Sequence, residues 1–209
     1  MIWHDATLPL SEATPPYPGD PGLVVRPLLR YDRGDDCWLS AISMSAHLGT
    51  HVDAPLHFVP NGASVEQLAL EALIGPASIV EVLTAEAITV EQLSAELPEV
   101  CERVLLKTSM QKNCLPRPTA WLEPAAADFL RARRVRLVGI DSSSIDNINA
   151  AHADSHRVLL AHNVVVVENL VLAPFAAGEY EMICLPLNLI GLEGAPARVV
   201  LRKRSEVGS

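Results

Sequence analysis

Apolar and polar positions along this chain switch between a period near two and a period near 3.6, and the switches mark out its elements. Leu23–Tyr31 and Cys37–Ala46 are β-rich and partly alternating, and Asp32-Arg-Gly-Asp-Asp36 between them predicts a hairpin. Ser64–Leu73 reads as a short helix and Ala77–Leu83 as a strand. Thr89–Leu97 predicts a helix, because Thr89 followed by Gln92 three residues later forms a capping box. Arg103–Thr108 is a buried-strand run. Pro124–Arg134 opens with proline at a first helical position and ends basic, as a helix does.

Val135–Asp141 is a further apolar strand that empties into Asp141-Ser-Ser-Ser-Ile-Asp146, a polar loop where α/β proteins place their chemistry. Ala151–His162 reads as a helix closed by Asn163, which tolerates the left-handed C-cap conformation. Val164–Leu170, Tyr180–Leu189 and Ala197–Arg202 complete the strands. Mixed in this way, the elements predict an α/β domain with a mixed sheet. Ahead of them all, Ala13–Gly22 carries four prolines in ten residues and can only be loop.

Length and composition narrow the function classes. The 209 residues fit one domain over 1–209, and 49% apolar residues supply a core. A net charge of −9 argues against nucleic acid, which calls for clustered Lys and Arg. No apolar run approaches the roughly 20 residues of a membrane span, so no membrane partner is expected. Cys37, Cys101, Cys114 and Cys184 show no Cys-x-x-Cys pairing and read as reduced thiols of a cytoplasmic protein.

Three of the seven histidines fall within His47-Leu-Gly-Thr-His51-Val-Asp53-Ala-Pro-Leu-His57-Phe58. A helix would put His47 and His51 together but turn Asp53 and His57 away, and Pro55 would interrupt it. In an extended chain the odd positions 47, 51, 53 and 57 all point to one side. A straight strand would spread them over about 33 Å, so bends at Gly49 and Pro55 are needed to bring His47, His51 and Asp53 to one point, with His57 beside them. Two imidazoles and a carboxylate suit Zn²⁺ or Mn²⁺ better than Ca²⁺ or Mg²⁺, and three ligands leave a position open for chemistry. A second cluster lies in Asp154-Ser-His156 and in Glu168, whose carboxylate ends a run of four valines. Set beside the first, it could complete a two-metal site. His152, four residues before His156, shares its face if the helix is continuous.

These motifs together resemble the cyclase-like metal-dependent hydrolases, the family that includes the bacterial kynurenine formamidases. His47-x-Gly-Thr-His51-x-Asp53-Ala-Pro-x-His57-Phe58 is similar to the family signature. Thr14–Asp20 is similar to its substrate loop, Val135–Asp146 to its central strand and loop, and Asp154-Ser-His156 with Glu168 to its second metal segment. Gly178–Leu187 and Pro196–Leu201 resemble its closing strands. The resemblance implies a swivelling β/β/α domain and two divalent ions per subunit, Zn²⁺ or alternatively Mn²⁺. His47, His51 and Asp53 would hold one ion, and His156 and Glu168 the other, with Asp53 and Glu168 bridging. His57 would be the proton carrier, Tyr17 a substrate contact, and the assembly a homodimer or larger homo-oligomer.

The implied activity is hydrolysis of a small-molecule aryl formamide, N-formyl-kynurenine to kynurenine and formate in tryptophan degradation. The alternatives are a relative acting on another cyclic amide, lactone or ester, and a non-enzymatic metal-binding protein. Two departures bear on the substrate. Tyr17 stands where the formamidases carry Trp, and Ser142-Ser143-Ser144 lacks the proline usual in that loop.

Overall fold

The computed structural model describes residues 2–110 and 119–204. Its strands, in chain order, are β1 (His4–Asp5), β2 (Val24–Leu29), β3 (Leu39–Ser43), β4 (His51–Asp53), β5 (Ile74–Glu81), β6 (Ala87–Ile88), β7 (Arg103–Lys107), β8 (Trp121–Leu122), β9 (Leu137–Ile140), β10 (Val165–Glu168), β11 (Gly178–Pro186) and β12 (Gly194–Lys203). The helices are α1 (Leu70–Leu73), α2 (Val90–Glu96), α3 (Pro124–Ala132) and α4 (Asp154–Leu160).

Eight strands form one mixed sheet in the order β1-β12-β11-β5-β7-β9-β10-β4. The neighbours β5–β7, β7–β9 and β9–β10 are parallel, and the remaining pairs are antiparallel. β12 is long enough to serve three neighbours. Ala197–Lys203 pairs with β11, while Gly194–Pro196 pairs with β4. The sheet therefore closes on itself through β4, and β1 is appended to β12.

Alternation along the buried strands separates two cores. Leu105, Leu137, Val165 and Val167 join Val52, Met182, Val199 and Leu201 in a cluster that draws on strands all around the closed sheet. Val104, Leu106, Val138, Val164 and Val166 point the other way, against Leu93 of α2, Leu130 of α3 and Leu159 of α4. Strands buried on both faces explain the continuous apolar runs in the sequence. They also aim the site. Glu168 follows Val166 on the helix side of β10, and His51 and Asp53 flank the inward-facing Val52.

Capping chemistry accounts for the helix starts. Thr89 Nα–H donates to Gln92 Oε1 at 2.9 Å and Gln92 Nα–H to Thr89 Oγ1 at 3.4 Å, the reciprocal box expected at α2. Pro124 sits in the first turn of α3 as anticipated. Asn163 adopts φ 58° after α4, the left-handed conformation its side chain tolerates.

Several expectations need correction. Ser64–Leu73 is not one helix: Leu68 and Ala69 are extended and divide it into a 3₁₀ turn, Val65–Gln67, and the single turn α1. The helix over Ala151–His162 is shorter, with Ala151–Ala153 outside it. Asp146 accepts from the Nα–H groups of Ser155 and His156, and this fixes its first turn at Asp154. β5 and β12 each begin three residues earlier than their apolar runs suggest, and β11 stops at Pro186. The hairpin over 23–46 is present as β2–β3, a separate two-stranded sheet. Cys37, Cys101 and Cys184 are free thiols, and Cys114 lies outside the described residues. No helix among the described residues is long and apolar enough to cross a membrane.

Candidate metal centre

The bend expected within the first histidine motif is made by Gly49 and Pro55. Gly49 has φ 69°, a left-handed conformation that favours glycine, and a Cβ there would also press on the end of the Leu10 side chain. Beyond it, β4 carries His51 and Asp53 on one face, and a 3₁₀ turn over Pro55–His57 swings His57 back beside them. From the other half of the chain come Glu168, at the end of β10, and His156, in the first turn of α4.

The two halves converge into two groups that share Asp53: His47, His51 and Asp53, and Asp53, His156 and Glu168. In each, the candidate ligand atoms lie within 4.8 Å of one another. Each carboxylate divides its oxygens. Asp53 Oδ1 faces His47 Nδ1 at 2.8 Å and His51 Nε2 at 3.3 Å, while Oδ2 faces His156 Nε2 at 3.4 Å. Glu168 Oε1 lies 3.1 Å from His156 Nε2, and Oε2 lies 3.5 Å from His51 Nε2.

Three of these atoms, His51 Nε2, Asp53 Oδ2 and His156 Nε2, are buried without a hydrogen-bond partner. Orphaned polar atoms are costly in a protein interior, and here His156 Nε2 faces Asp53 Oδ2 while His51 Nε2 faces the other oxygen of the same carboxylate. Ligands about 2.1 Å from a common ion at tetrahedral angles lie about 3.4 Å apart. The spacings of 3.1–3.5 Å and the imidazole–carboxylate donor set both fit a divalent transition-metal ion.

Neighbouring groups hold the histidines in place. His51 Nδ1–H donates to the Gly49 carbonyl at 2.8 Å, leaving Nε2 to face the centre. His156 Nδ1–H donates to Asp146 Oδ2 at 2.6 Å, so the carboxylate that fixes the start of α4 also orients its histidine. Such partners set tautomer and ring direction. His47 Nε2 lies 3.3 Å from Glu193 Oε1.

The electrostatics follow from concentrated charge. Burial disfavours a charged Asp53, but His51, His156 and His47 around it hold its carboxyl well below the usual range. Burial likewise opposes charge on His51, yet Asp53 and Glu168 lift it to about 9. His156 is raised well above its ordinary value by Asp146, Asp53 and Glu168, against its burial. The pocket thus favours positive charge at its centre. His57 behaves oppositely: burial pushes it down to about 4, so its imidazole is neutral at neutral pH.

His57 belongs to neither ligand group. Its ring stacks on His47 with centroids 4.3 Å apart and stands edge-on to His156 at 5.7 Å. His47, His51, His57, His156 and Glu168 open onto a cavity of about 770 Å³. Tyr17, 40% exposed, lines it together with its neighbouring prolines, as do Ser143 and Ser144. The structure therefore brings His47, His51, His57, His156, Glu168 and Tyr17 around one cavity, with Asp53 fully buried against three of these histidines.

Sequence reasoning passed over Asp146, Glu193 and Arg157. Asp146 stood in a loop already marked by its place at the end of a strand. Glu193 and Arg157 are single charges outside any recognisable motif and give no signal. His152 sits on the cavity wall and not on the helix with His156. His162, at the far end of α4, turns back to the Val158 carbonyl at 2.9 Å, a structural contact.

Known proteins are similar to this chain in sequence and fold over nearly its whole length. The chain is 34% identical to a kynurenine formamidase of Bacillus cytotoxicus over 202 residues, covering 96% of this chain and 97% of that one. A solved predicted metal-dependent hydrolase of Bacillus stearothermophilus superposes with a TM-score of 0.81 at 30% identity, covering 96% and 97% of the two chains. Isatin hydrolase A of Labrenzia aggregata, bound to benzyl benzoate, gives a TM-score of 0.81 at 25% identity, covering 96% and 93%. The family model for Cyclase matches residues 4–147, most of the chain and the whole of the first histidine motif, and the chain belongs to that family.

Proposed function

We propose that the protein is a metal-dependent amide hydrolase, an arylformamidase that converts N-formyl-kynurenine to kynurenine and formate. The observation that carries this reading is the pair of carboxylates, Asp53 and Glu168, each presenting one oxygen to each side of a cluster of orphaned imidazole nitrogens. The similarity to a kynurenine formamidase across 96% of the chain supports the substrate class.

His47, His51 and Asp53 would hold one divalent ion and His156 and Glu168 a second, with Asp53 and Glu168 serving both, and Zn²⁺ is the ion proposed ahead of Mn²⁺. Bound there, such ions supply Lewis acidity, enough to bring the pKa of water to about 7 and to stabilise negative charge on a carbonyl oxygen. The protein's part is orientation and proton transfer. Asp146 and the Gly49 carbonyl keep His156 and His51 from rotating. His57, neutral and poised beside His47, takes a proton from the attacking water on a ring nitrogen and delivers it to the departing anilide nitrogen. Tyr17 offers its ring to the aromatic substrate at the cavity wall.

A second reading keeps the same machinery but opens a cyclic aryl amide. It is favoured by the similarity to isatin hydrolase A and by Tyr17 and the Ser142-Ser143-Ser144 loop, where the substrate wall departs from the formamidase pattern. The assembly proposed is a homodimer or larger homo-oligomer of a cytoplasmic enzyme.

The test is hydrolysis of N-formyl-kynurenine, followed by absorbance, with chelated protein before and after Zn²⁺ or Mn²⁺ is restored. Turnover that returns with metal, at kcat/KM of about 10⁴ M⁻¹s⁻¹ or above, establishes the formamidase. A metal-loaded protein that leaves N-formyl-kynurenine intact but opens isatin belongs to the second reading.

A further inference from the structure

The cavity wall is strongly unequal in charge. Asp20, Asp146, Glu168 and Glu193 all line it, whereas Arg157 is its single Lys or Arg among the described residues. Asp146 is engaged by His156 and the start of α4, and Asp20 accepts from Ser45 Oγ at 2.8 Å. Arg157, by contrast, has no ion pair among the described residues. Its guanidinium carbon lies 5.4 Å over the ring of Phe58.

Phe58 connects this cation to the reaction centre. Its ring is 4.2 Å from that of His57 and 4.9 Å from that of His156. A guanidinium laid over an aromatic face keeps its in-plane N–H fork free. The fork is thus presented at the cavity wall, one ring away from the proton carrier, and paired with no carboxylate among the described residues.

We propose that Arg157 is the anion-binding residue of this cavity and selects aryl amides that carry a carboxylate. The inference rests on the amide-hydrolase reading for its substrate class. An aryl formamide bearing an amino-acid side chain places its carboxylate several bonds from the scissile carbonyl. Elsewhere on the wall that carboxylate meets Asp20 or Glu193, and at Arg157 it meets a planar donor pair of matching geometry. Arg157 touches substrate far from the reacting atoms, so its contribution appears in binding and not in the chemical step.

The experiment compares two substrates with one ring, N-formyl-kynurenine and 2-formamidoacetophenone, which lacks the amino-acid end. Wild-type protein is set against Arg157→Gln and Arg157→Lys. The ratio of kcat/KM for the charged over the neutral substrate should fall at least about tenfold in Arg157→Gln, the loss of one charge-assisted pair, and the fall should lie in KM. Arg157→Lys should restore part of it. A ratio unchanged by Arg157→Gln, or equal losses on both substrates, overturns the proposal and leaves Arg157 a packing partner of Phe58.

Equilibrium binding of kynurenine and of 2-aminoacetophenone separates this idea from the formamidase reading. Should wild-type protein hydrolyse neither formamide, that reading fails. Kynurenine binding weakened at least tenfold by Arg157→Gln, with 2-aminoacetophenone binding held within twofold, would still support the anion site. Equal changes in the two, or no binding of kynurenine by wild type, would overturn it.

Discussion

Glu168 lies directly opposite His51 across the antiparallel β10–β4 pair, and their side chains meet at 3.5 Å between Oε2 and Nε2. Residues 117 positions apart in the sequence are thus register partners, and ladder hydrogen bonds fix their spacing. If Glu168 closes both ligand groups, Glu168→Gln should leave the closed sheet intact but release metal. We expect metal content per chain to drop and kcat/KM to fall about 100-fold or more, at least the loss seen for outer partners of metal ligands. Elemental analysis and kinetics on the same preparation test this. Full metal occupancy with near-normal turnover would remove Glu168 from the ligand set.

That register shows what the sequence can and cannot disclose. Gly49, Pro55 and the odd spacing of 47, 51, 53 and 57 are local, and they correctly anticipate a bent segment with its polar side chains together. The strand carrying Glu168 is also local, a valine run ended by a carboxylate. The pairing of β4 with both β10 and β12, which closes the sheet and seats Glu168 over His51, is a long-range event with no periodic trace. Asp146 was hidden for a related reason. Its two roles, capping α4 and orienting His156, exist only once the helix that begins at Asp154 has docked against it.

Asp146 serves both the fold and the site, and the two effects can be measured apart. Burial disfavours its charge, yet His156 and the Nα–H groups of α4 keep its carboxyl below the ordinary value. Asp146→Asn retains a capping side chain but loses the anionic partner of His156 Nδ1. Metal affinity measured by chelator competition should weaken by about 10–100-fold, while thermal stability of the metal-free protein changes little. Asp146→Ala removes the cap as well and should cost about 1 kcal/mol more in denaturant unfolding. Unaltered metal affinity in both variants would reduce Asp146 to a helix cap.

His57 is separable from the ligand groups by its neutrality and its stacking. Replacement by alanine removes a ring that packs on His47 but no atom of either group. The expected outcome is retained metal and a kcat lower by about 10²–10⁴-fold, the usual worth of a positioned acid–base group. Elemental analysis of the variant decides the role. Loss of metal together with activity would place His57 among the ligands.

The hairpin β2–β3 is the part of the chain least explained by a solitary subunit. It pairs with no other strand among the described residues, and Val24, Leu28, Trp38 and Ile42 are 58%, 45%, 55% and 63% exposed. Two-stranded ribbons are marginal in water unless something covers them, and an apolar surface of this kind marks an interaction site. Arg30 lies over the Trp38 ring at 4.8 Å and Tyr31 meets it edge-on, which stiffens the tip without burying it. A second copy of the chain is the partner the family resemblance implies. Light scattering coupled to size exclusion should then report a dimer or larger species for the wild type. Ile42→Glu with Leu28→Glu should shift it to the mass of one chain, because each carboxylate would otherwise be buried unpaired. A wild type already monomeric at micromolar concentration would leave these residues without that role and the assembly proposal without support.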